Sequence, residues 1–287
     1  MGCGSFKLSS YAAYSLANAK SYDRATNRVS GQEFYATKID KNLDPRNFSV
    51  RECVNSEEHP NTIPVILALD VTGSMGSACK ETAEALGVIM SNLYEKFQDI
   101  EFCIMGIGDL AYDRAPIQMS QFESDVRIAE ALDKVYMEHG GGGNAYESYT
   151  AAWYMGLYKT KLDCFDKQGR KGIIITMGDE PLNPYLPHAE LNLAIGDTLE
   201  YDIETVGLYE EASKKFDIFH IGIKGGCYTS WKDKIKESFG QLLGPRYKES
   251  SINDLAETIE NCITESIQGV AETPAVQATN EKGEITW

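Results

Sequence analysis

The chain has 287 residues, 43% of them hydrophobic, and carries a formal net charge of −16. That supplies core material for one large α/β domain with an extension, and with no basic patch in view the charge excludes a nucleic-acid backbone as partner. Seven cysteines stand at Cys3, Cys53, Cys79, Cys103, Cys164, Cys227 and Cys262 without a Cys-x-x-Cys pair, which argues against a zinc site and a disulfide framework. No apolar run reaches signal-peptide or bilayer-spanning length, so the expectation is a cytoplasmic protein without membrane contact.

Taken in chain order, Met1-Gly2-Cys3 lacks the Ser or Thr that an acylation signal wants at the sixth position, where Phe6 stands. Residues 1–63 read as a polar extension, with a helix-compatible stretch at Tyr11 to Ala19 and a strand-compatible one at Glu33 to Ile39. Tyr11, Tyr14, Phe34, Tyr35 and Phe48 are expected to pack it on the domain. The stretch from Pro64 to Leu69 is a continuous apolar run that leads into Asp70, then into a turn with Thr72, Gly73, Ser74 and Gly76. Such a run suits a strand buried on both faces of a parallel sheet.

A helix follows from Ser77 to Phe97, with Leu86, Ile89, Met90, Leu93 and Phe97 on one face, and Ile100 to Ile107 reads as a second buried strand. The proline-containing stretch from Pro116 to Gln121 is a hairpin or an irregular connection. Val126, Ala129, Leu132 and Tyr136 mark a helix expected to stop at the glycine run Gly140 to Gly143. Ala145 to Tyr158 reads as helix, Gly172 to Thr176 as a buried strand and Pro181 to Pro187 as a loop. Residues 198 to 215 read as helix and Asp217 to Ile223 as strand. Trp231, Ile235, Phe239 and Leu242 give a further helix, Arg246 to Glu249 a short edge strand, and Ile252 to Val270 a last helix before a polar tail, 271–287. This alternation over residues 64–270 makes an α/β fold with a mainly parallel sheet.

In such sheets ligands bind beyond the carboxyl ends of the strands, where Asp70, Thr72 and Ser74 would lie. One carboxylate and two hydroxyls are hard oxygen donors that can form half of an octahedral Mg²⁺ site. Asp-x-Thr-Gly-Ser-Met resembles the first loop of the metal-ion-dependent adhesion site of von Willebrand factor A domains. The alternative is a helix-entry turn in which these side chains cap or bond the loop. The resemblance implies a Rossmann-like three-layer fold, a six-stranded sheet with helices on both faces, and a metal site on its upper edge. It further implies direct metal bonds from Thr72 and Ser74, with Asp70 and Asp179 holding waters. Mg²⁺ is the expected ion, and Mn²⁺ or Ca²⁺ could replace it.

The second loop of that family supplies a Thr, and here the loop is Gly140-Gly-Gly-Gly-Asn144-Ala-Tyr-Glu147-Ser148, so Asn144 and Glu147 are the polar candidates. They read equally as a helix cap and its capping-box partner. The third loop, Thr176-Met-Gly-Asp179-Glu180, brings its carboxylates later than the family does. Asp109, after the second strand, is either a turn residue or a neighbour of the site. Gly106-Ile-Gly108-Asp-Leu-Ala111 imitates a dinucleotide fingerprint, but no helix can start before Pro116. His220 lies in a buried strand and reads as a packed core histidine.

The function expected is a non-enzymatic protein-binding module whose metal bridges to an acidic residue of a protein partner, an AAA+ ATPase being one partner type that the resemblance implies. The alternatives are a metal-dependent hydrolase or phosphoryl-handling enzyme built on Asp70, Asp109 and Asp179, and a structural protein whose metal site has decayed.

Overall fold

The computed structural model describes residues 4–34, 36–138 and 146–269. Tyr35, the glycine run Gly140 to Gly143, Asn144, Val270 and the 271–287 tail lie outside the described residues. An N-terminal helix α1 (Leu8–Ala17) leads to a hairpin of β1 (Ser21–Asp23) and β2 (Arg28–Ser30), and β3 (Arg51–Cys53) follows. The main sheet begins with β4 (Ile63–Asp70), continued by α2 (Gly76–Tyr94), β5 (Ile100–Ile107), β6 (Ile117–Met119) and α3 (Arg127–Asp133). Next come α4 (Thr150–Tyr158), β7 (Thr160–Leu162), α5 (Asp163–Asp166), β8 (Gly172–Gly178), β9 (Tyr185–Leu186) and α6 (His188–Ile195). The chain closes with β10 (Ile203–Glu204), α7 (Thr205–Lys215), β11 (Phe216–Ile223), α8 (Tyr228–Leu243), β12 (Tyr247–Ser250) and α9 (Leu255–Gln268).

The central sheet is mixed, in the order β12-β11-β8-β4-β5-β6, with every neighbouring pair parallel except β5 and β6. Because side chains alternate along a strand, each buried strand feeds two cores. Val65, Leu67 and Leu69 of β4 join Ile173, Ile175 and Met177 of β8 on the face covered by α2, α3 and α9. Ile66, Ala68 and Ile174 join the opposite core with Ala151, Trp153, Leu208 and Phe239 from α4, α7 and α8. Each such side chain contributes about 1.5–3 kcal/mol on burial, so a one-residue slip of β4 would forfeit most of both cores.

Several elements differ from their sequence reading. The helix marked by Val126 to Tyr136 ends at Asp133, so it does not run to the glycines. Helix α4 starts at Thr150, five residues late, which leaves Glu147 in an extended bridge with Leu182 instead of in a capping box. Strand β8 continues through Gly178, because Met177 pairs with Leu69 and Ile221 in an apolar layer. The 198–215 helix begins only at Thr205, and α6 occupies a stretch that periodicity does not mark, with just Leu191 and Ile195 buried. Glu33 to Ile39 forms no strand among the described residues.

The N-terminal residues share the first core. Tyr11 and Val29 are buried there, and the Tyr11 hydroxyl donates to the Ala83 carbonyl of α2 at 3.2 Å. This approach needs Gly87, where a Cβ would meet the Asn27 carbonyl oxygen and come within 2.6 Å of Tyr11 Cε1. In an isolated helix Gly→Ala stabilises by about 1 kcal/mol. Here we expect Gly87→Ala to destabilise by about 1–3 kcal/mol through overpacking, read as a lower midpoint in thermal melts. A raised midpoint would show that the N-terminal segment does not press on α2.

Candidate functional site

From β4 the chain passes through α2 to β5 on one side, and later returns to β8 on the other side of β4. The crevice beyond the ends of β4 and β8 is therefore the topological switch point, where α/β sheets bind ligands. Asp70 ends β4, and Asp179 directly follows β8. Alternation aims them to different faces. Asp70 has the parity of Ile66 and Ala68 and points to the α4 side, whereas Asp179 has the parity of Met177 and points to the side from which α2 starts.

Both carboxylates are fully buried, and each finds a hydroxyl from the β4–α2 turn. Asp70 Oδ1 accepts from the Thr72 backbone N–H at 2.9 Å and from Thr72 Oγ1 at 2.5 Å. Asp179 Oδ1 accepts from Ser74 Oγ at 3.1 Å, and its Oδ2 from the Cys227 N–H at 2.6 Å. The loop after β11 closes tightly over this corner: a Cβ on Gly226, whose φ is +49°, would press on Asp179 Oδ2 and on Ser74. The extension of β8 to Gly178 is what lets Asp179 reach Ser74 despite the intervening Met177 and Gly178. Neither Thr72 nor Ser74 caps the following helical turns with its side chain.

Sequence reading did not find Tyr149. It is buried just before α4, and its hydroxyl donates to Asp70 Oδ2 at 2.8 Å while accepting from the Glu180 N–H at 3.4 Å. Burial and the nearby carboxylates push its pKa far up, so it stays a proton donor. Its ring lies where a side chain at position 178 would stand, and Gly178 is the one signal in the sequence for this contact. The ring also meets His220 edge-on at 5.1 Å. His220 stacks on Phe239 with its Nδ1 on Thr176 Oγ1 at 2.9 Å, and burial holds it neutral, so it is a core residue.

More carboxyls gather on the same edge. Asp109 is buried with Oδ1 accepting from the Ala111 N–H at 2.8 Å, a turn role, and the Asp109 N–H donates to Asp113 Oδ2 at 2.7 Å. Glu147 is buried and Glu180 half-buried. Asp109 Oδ2, Glu147 Oε2 and Glu180 Oε2 are buried oxygens without a hydrogen-bond partner. Burial first, then neighbouring carboxylates, raise the Glu180 carboxyl to about 7 and Asp113 to about 6, and push Glu147 and Asp70 well up. Among the described residues, the strongest influences on Asp70, Glu147, Asp179 and Glu180 are burial, neighbouring carboxylates including Asp109 and Asp113, and neutral hydrogen-bond donors, with no Lys or Arg among them.

Among the described residues no three His, Cys, Asp or Glu side chains form a ready chelate. A metal here would need the Thr72 and Ser74 hydroxyls as donors, and the structure does bring them to the two buried carboxylates. The oxygens of Asp70, Thr72, Ser74 and Asp179 are hard donors, with unpaired carboxylate oxygens nearby, and suit Mg²⁺, Mn²⁺ or Ca²⁺. Of the residues singled out by sequence, Asp70, Thr72, Ser74 and Asp179 come together. Glu147 and Asp109 stand on the same edge, and Asn144 is outside the described residues.

No family model matches the sequence, and no curated protein matches it. Among solved structures, the chain resembles the pilus adhesin SpaC from Lactobacillus rhamnosus GG in its open conformation, with 13% identity and a TM-score of 0.46 over 75% of this chain and 31% of that one. It also resembles the von Willebrand factor domain of the type V pili tip protein Mfa5 from Porphyromonas gingivalis, with 11% identity and a TM-score of 0.45 over 75% of this chain and 98% of that one. The match thus spans about a third of SpaC.

The raised carboxyls give a signed pH dependence. Each binds a proton in the folded chain at a pH where the unfolded chain has lost it, so their stabilising effect is complete below about pH 4 and is lost as pH rises through the folded values near 6 and 7. In chelator, the thermal midpoint is expected to fall between pH 5 and pH 8, and Glu180→Gln to flatten that fall near pH 7. An identical slope in the variant would remove Glu180 from the acidic edge.

Proposed function

We propose that this chain is a von Willebrand factor A-type binding module, in which a divalent cation at the β4–β8 edge mediates capture of a protein partner. The observation that carries the reading is the set of buried carboxylate oxygens on Asp109, Glu147 and Glu180 that have no hydrogen-bond partner, on the same edge as a hydroxyl-lined corner. Ionising such a buried group without a partner costs several kcal/mol, and such groups are kept where a cation meets them or a function needs them.

In this reading Thr72 and Ser74 bind the ion directly, with Asp70 and Asp179 behind them as anchors for its waters. A bound divalent ion supplies a positive centre on which a partner's carboxylate can close the coordination shell. The chain's own part is orientation. Tyr149 and the Thr72 N–H fix the Asp70 carboxylate, while the Cys227 N–H fixes Asp179, so neither hydroxyl has to search for its partner. Neutral hydroxyl donors leave most of the ion's charge available to an anionic ligand. The sequence resemblance in the Asp70 to Met75 turn supports the same reading, and binding without turnover is the activity proposed.

Titration of chelator-stripped protein with Mg²⁺, Mn²⁺ and Ca²⁺ by calorimetry tests it. Saturable binding of at least one ion is expected, together with a higher thermal midpoint at pH 8. Ser74→Ala should weaken binding about tenfold, since one direct donor is lost, and should also lower the metal-free midpoint, since Asp179 Oδ1 loses its hydroxyl donor. No heat and no midpoint shift with any of the three ions would overturn the proposal.

A further inference from the structure

A cavity of about 300 Å³ lies between the N-terminal segment, the β6–α3 connection and α3, and shares no lining residue with the acidic edge. Arg51 of β3, Gln121 and Lys134 form part of its wall. Arg28, Arg46, Arg127 and Arg246 each pair with a carboxylate, whereas half-buried Arg51 pairs with none among the described residues. Its guanidinium is held by other means. The Phe48 ring centre lies 3.6 Å from its Cζ, and Nη2 donates to the carbonyls of Asn42 and Met119. Burial is the largest influence on this group, and no Asp or Glu counters it. Nε is enclosed without a partner, whereas Nη1 makes no bond to the described residues and is not enclosed. Gln121 is oriented in a similar way: its Oε1 accepts from the Glu52 N–H at 3.3 Å and the Phe122 N–H at 3.1 Å, which leaves Nε2 unbonded. Two acids also line the cavity. Glu123 pairs with Arg127 at 2.9 Å, and Glu130 stands one helical turn before Lys134. Arg51, Arg127 and Lys134 against Glu123 and Glu130 leave the wall with an excess of one positive charge.

We propose that this cavity binds a small organic acid through its carboxylate, with Arg51 Nη1, Gln121 Nε2 and Lys134 Nζ as donors and Leu43 and Ala131 against its hydrocarbon part. An arginine already fixed by a ring and two carbonyls loses little freedom on binding, and hydrogen bonds from a charged donor are about twice as strong as neutral ones. The carboxylate would also relieve a half-buried charge that has no counter-ion in the protein. A single excess positive charge matches one carboxylate better than a doubly charged phosphate. The volume stands at the low end for small-molecule sites, so the acid is small. This site is independent of the metal reading, since its residues and its ligand are different.

The test is a ¹⁵N-NMR titration of the whole chain, in chelator and at constant ionic strength, with butyrate, inorganic phosphate and the uncharged butyramide. Saturable shifts of the Leu43 and Ala131 amides, the Gln121 side-chain amide and the Arg51 Nε–H are expected with butyrate and not with butyramide. Gln121→Glu, which retains an acceptor for the Glu52 and Phe122 N–H groups, should weaken butyrate binding about tenfold, since a donor to a charged group becomes a like charge. Lys134→Ala, at an exposed position, should weaken it about threefold, as loss of one exposed charge pair does. No saturable shift at these groups, an equal response to butyramide, or unchanged affinity in Gln121→Glu would overturn the site. Binding of phosphate in preference to butyrate would overturn the assignment to a carboxylate.

Discussion

A carboxylate buried at the tip of an all-apolar strand is the constraint on which the upper edge of this molecule depends. Asp70 is fully buried, so its oxygens must be met by groups of the protein. The Thr72 N–H and hydroxyl meet one oxygen and the Tyr149 hydroxyl the other, and these bonds set the path of the β4–α2 turn and the entry of α4. Because Tyr149 also accepts from the Glu180 N–H, the same phenol ties the β8 loop to the β4 end. One buried charge thus aligns three segments that are far apart in sequence.

The edge is also where the fold is least relaxed. Asp113, Glu147 and Glu180 are held among like charges, and burial disfavours ionisation of each. A core made only for stability would place apolar groups there. Under the binding reading this unrelieved repulsion is what makes a cation welcome, so affinity for metal and stability of the metal-free chain vary in opposite directions as acidic groups are added or removed.

Much of this was legible in the sequence, for identifiable reasons. Strands buried on both faces leave long apolar runs, so β4, β5, β8 and β11 could be placed from Pro64 to Leu69, Ile100 to Ile107, Gly172 to Thr176 and Asp217 to Ile223. The Asp70 to Ser74 turn could be found because its oxygens are adjacent in the chain. What escaped depends on distant residues. Met177 looked like a break after Thr176, but register with Leu69 and Ile221 keeps it in the strand. Helix α6 buries only Leu191 and Ile195, too few to mark a period. Tyr149 looked like one more apolar helix residue, since nothing local signals that its hydroxyl meets Asp70.

The contact between Tyr149 and Gly178 has a consequence for how such a chain can drift. The phenol ring fills the space of a side chain at 178, so any substitution there displaces the ring and strips Asp70 of a hydrogen-bond donor. Conversely, a smaller residue at 149 would open the space beside Gly178 and remove the reason for glycine. The two positions are therefore bound to change together, and a Gly at the end of β8, joined to a Tyr just before α4, is a two-letter mark by which divergent relatives that keep this carboxylate arrangement can be recognised.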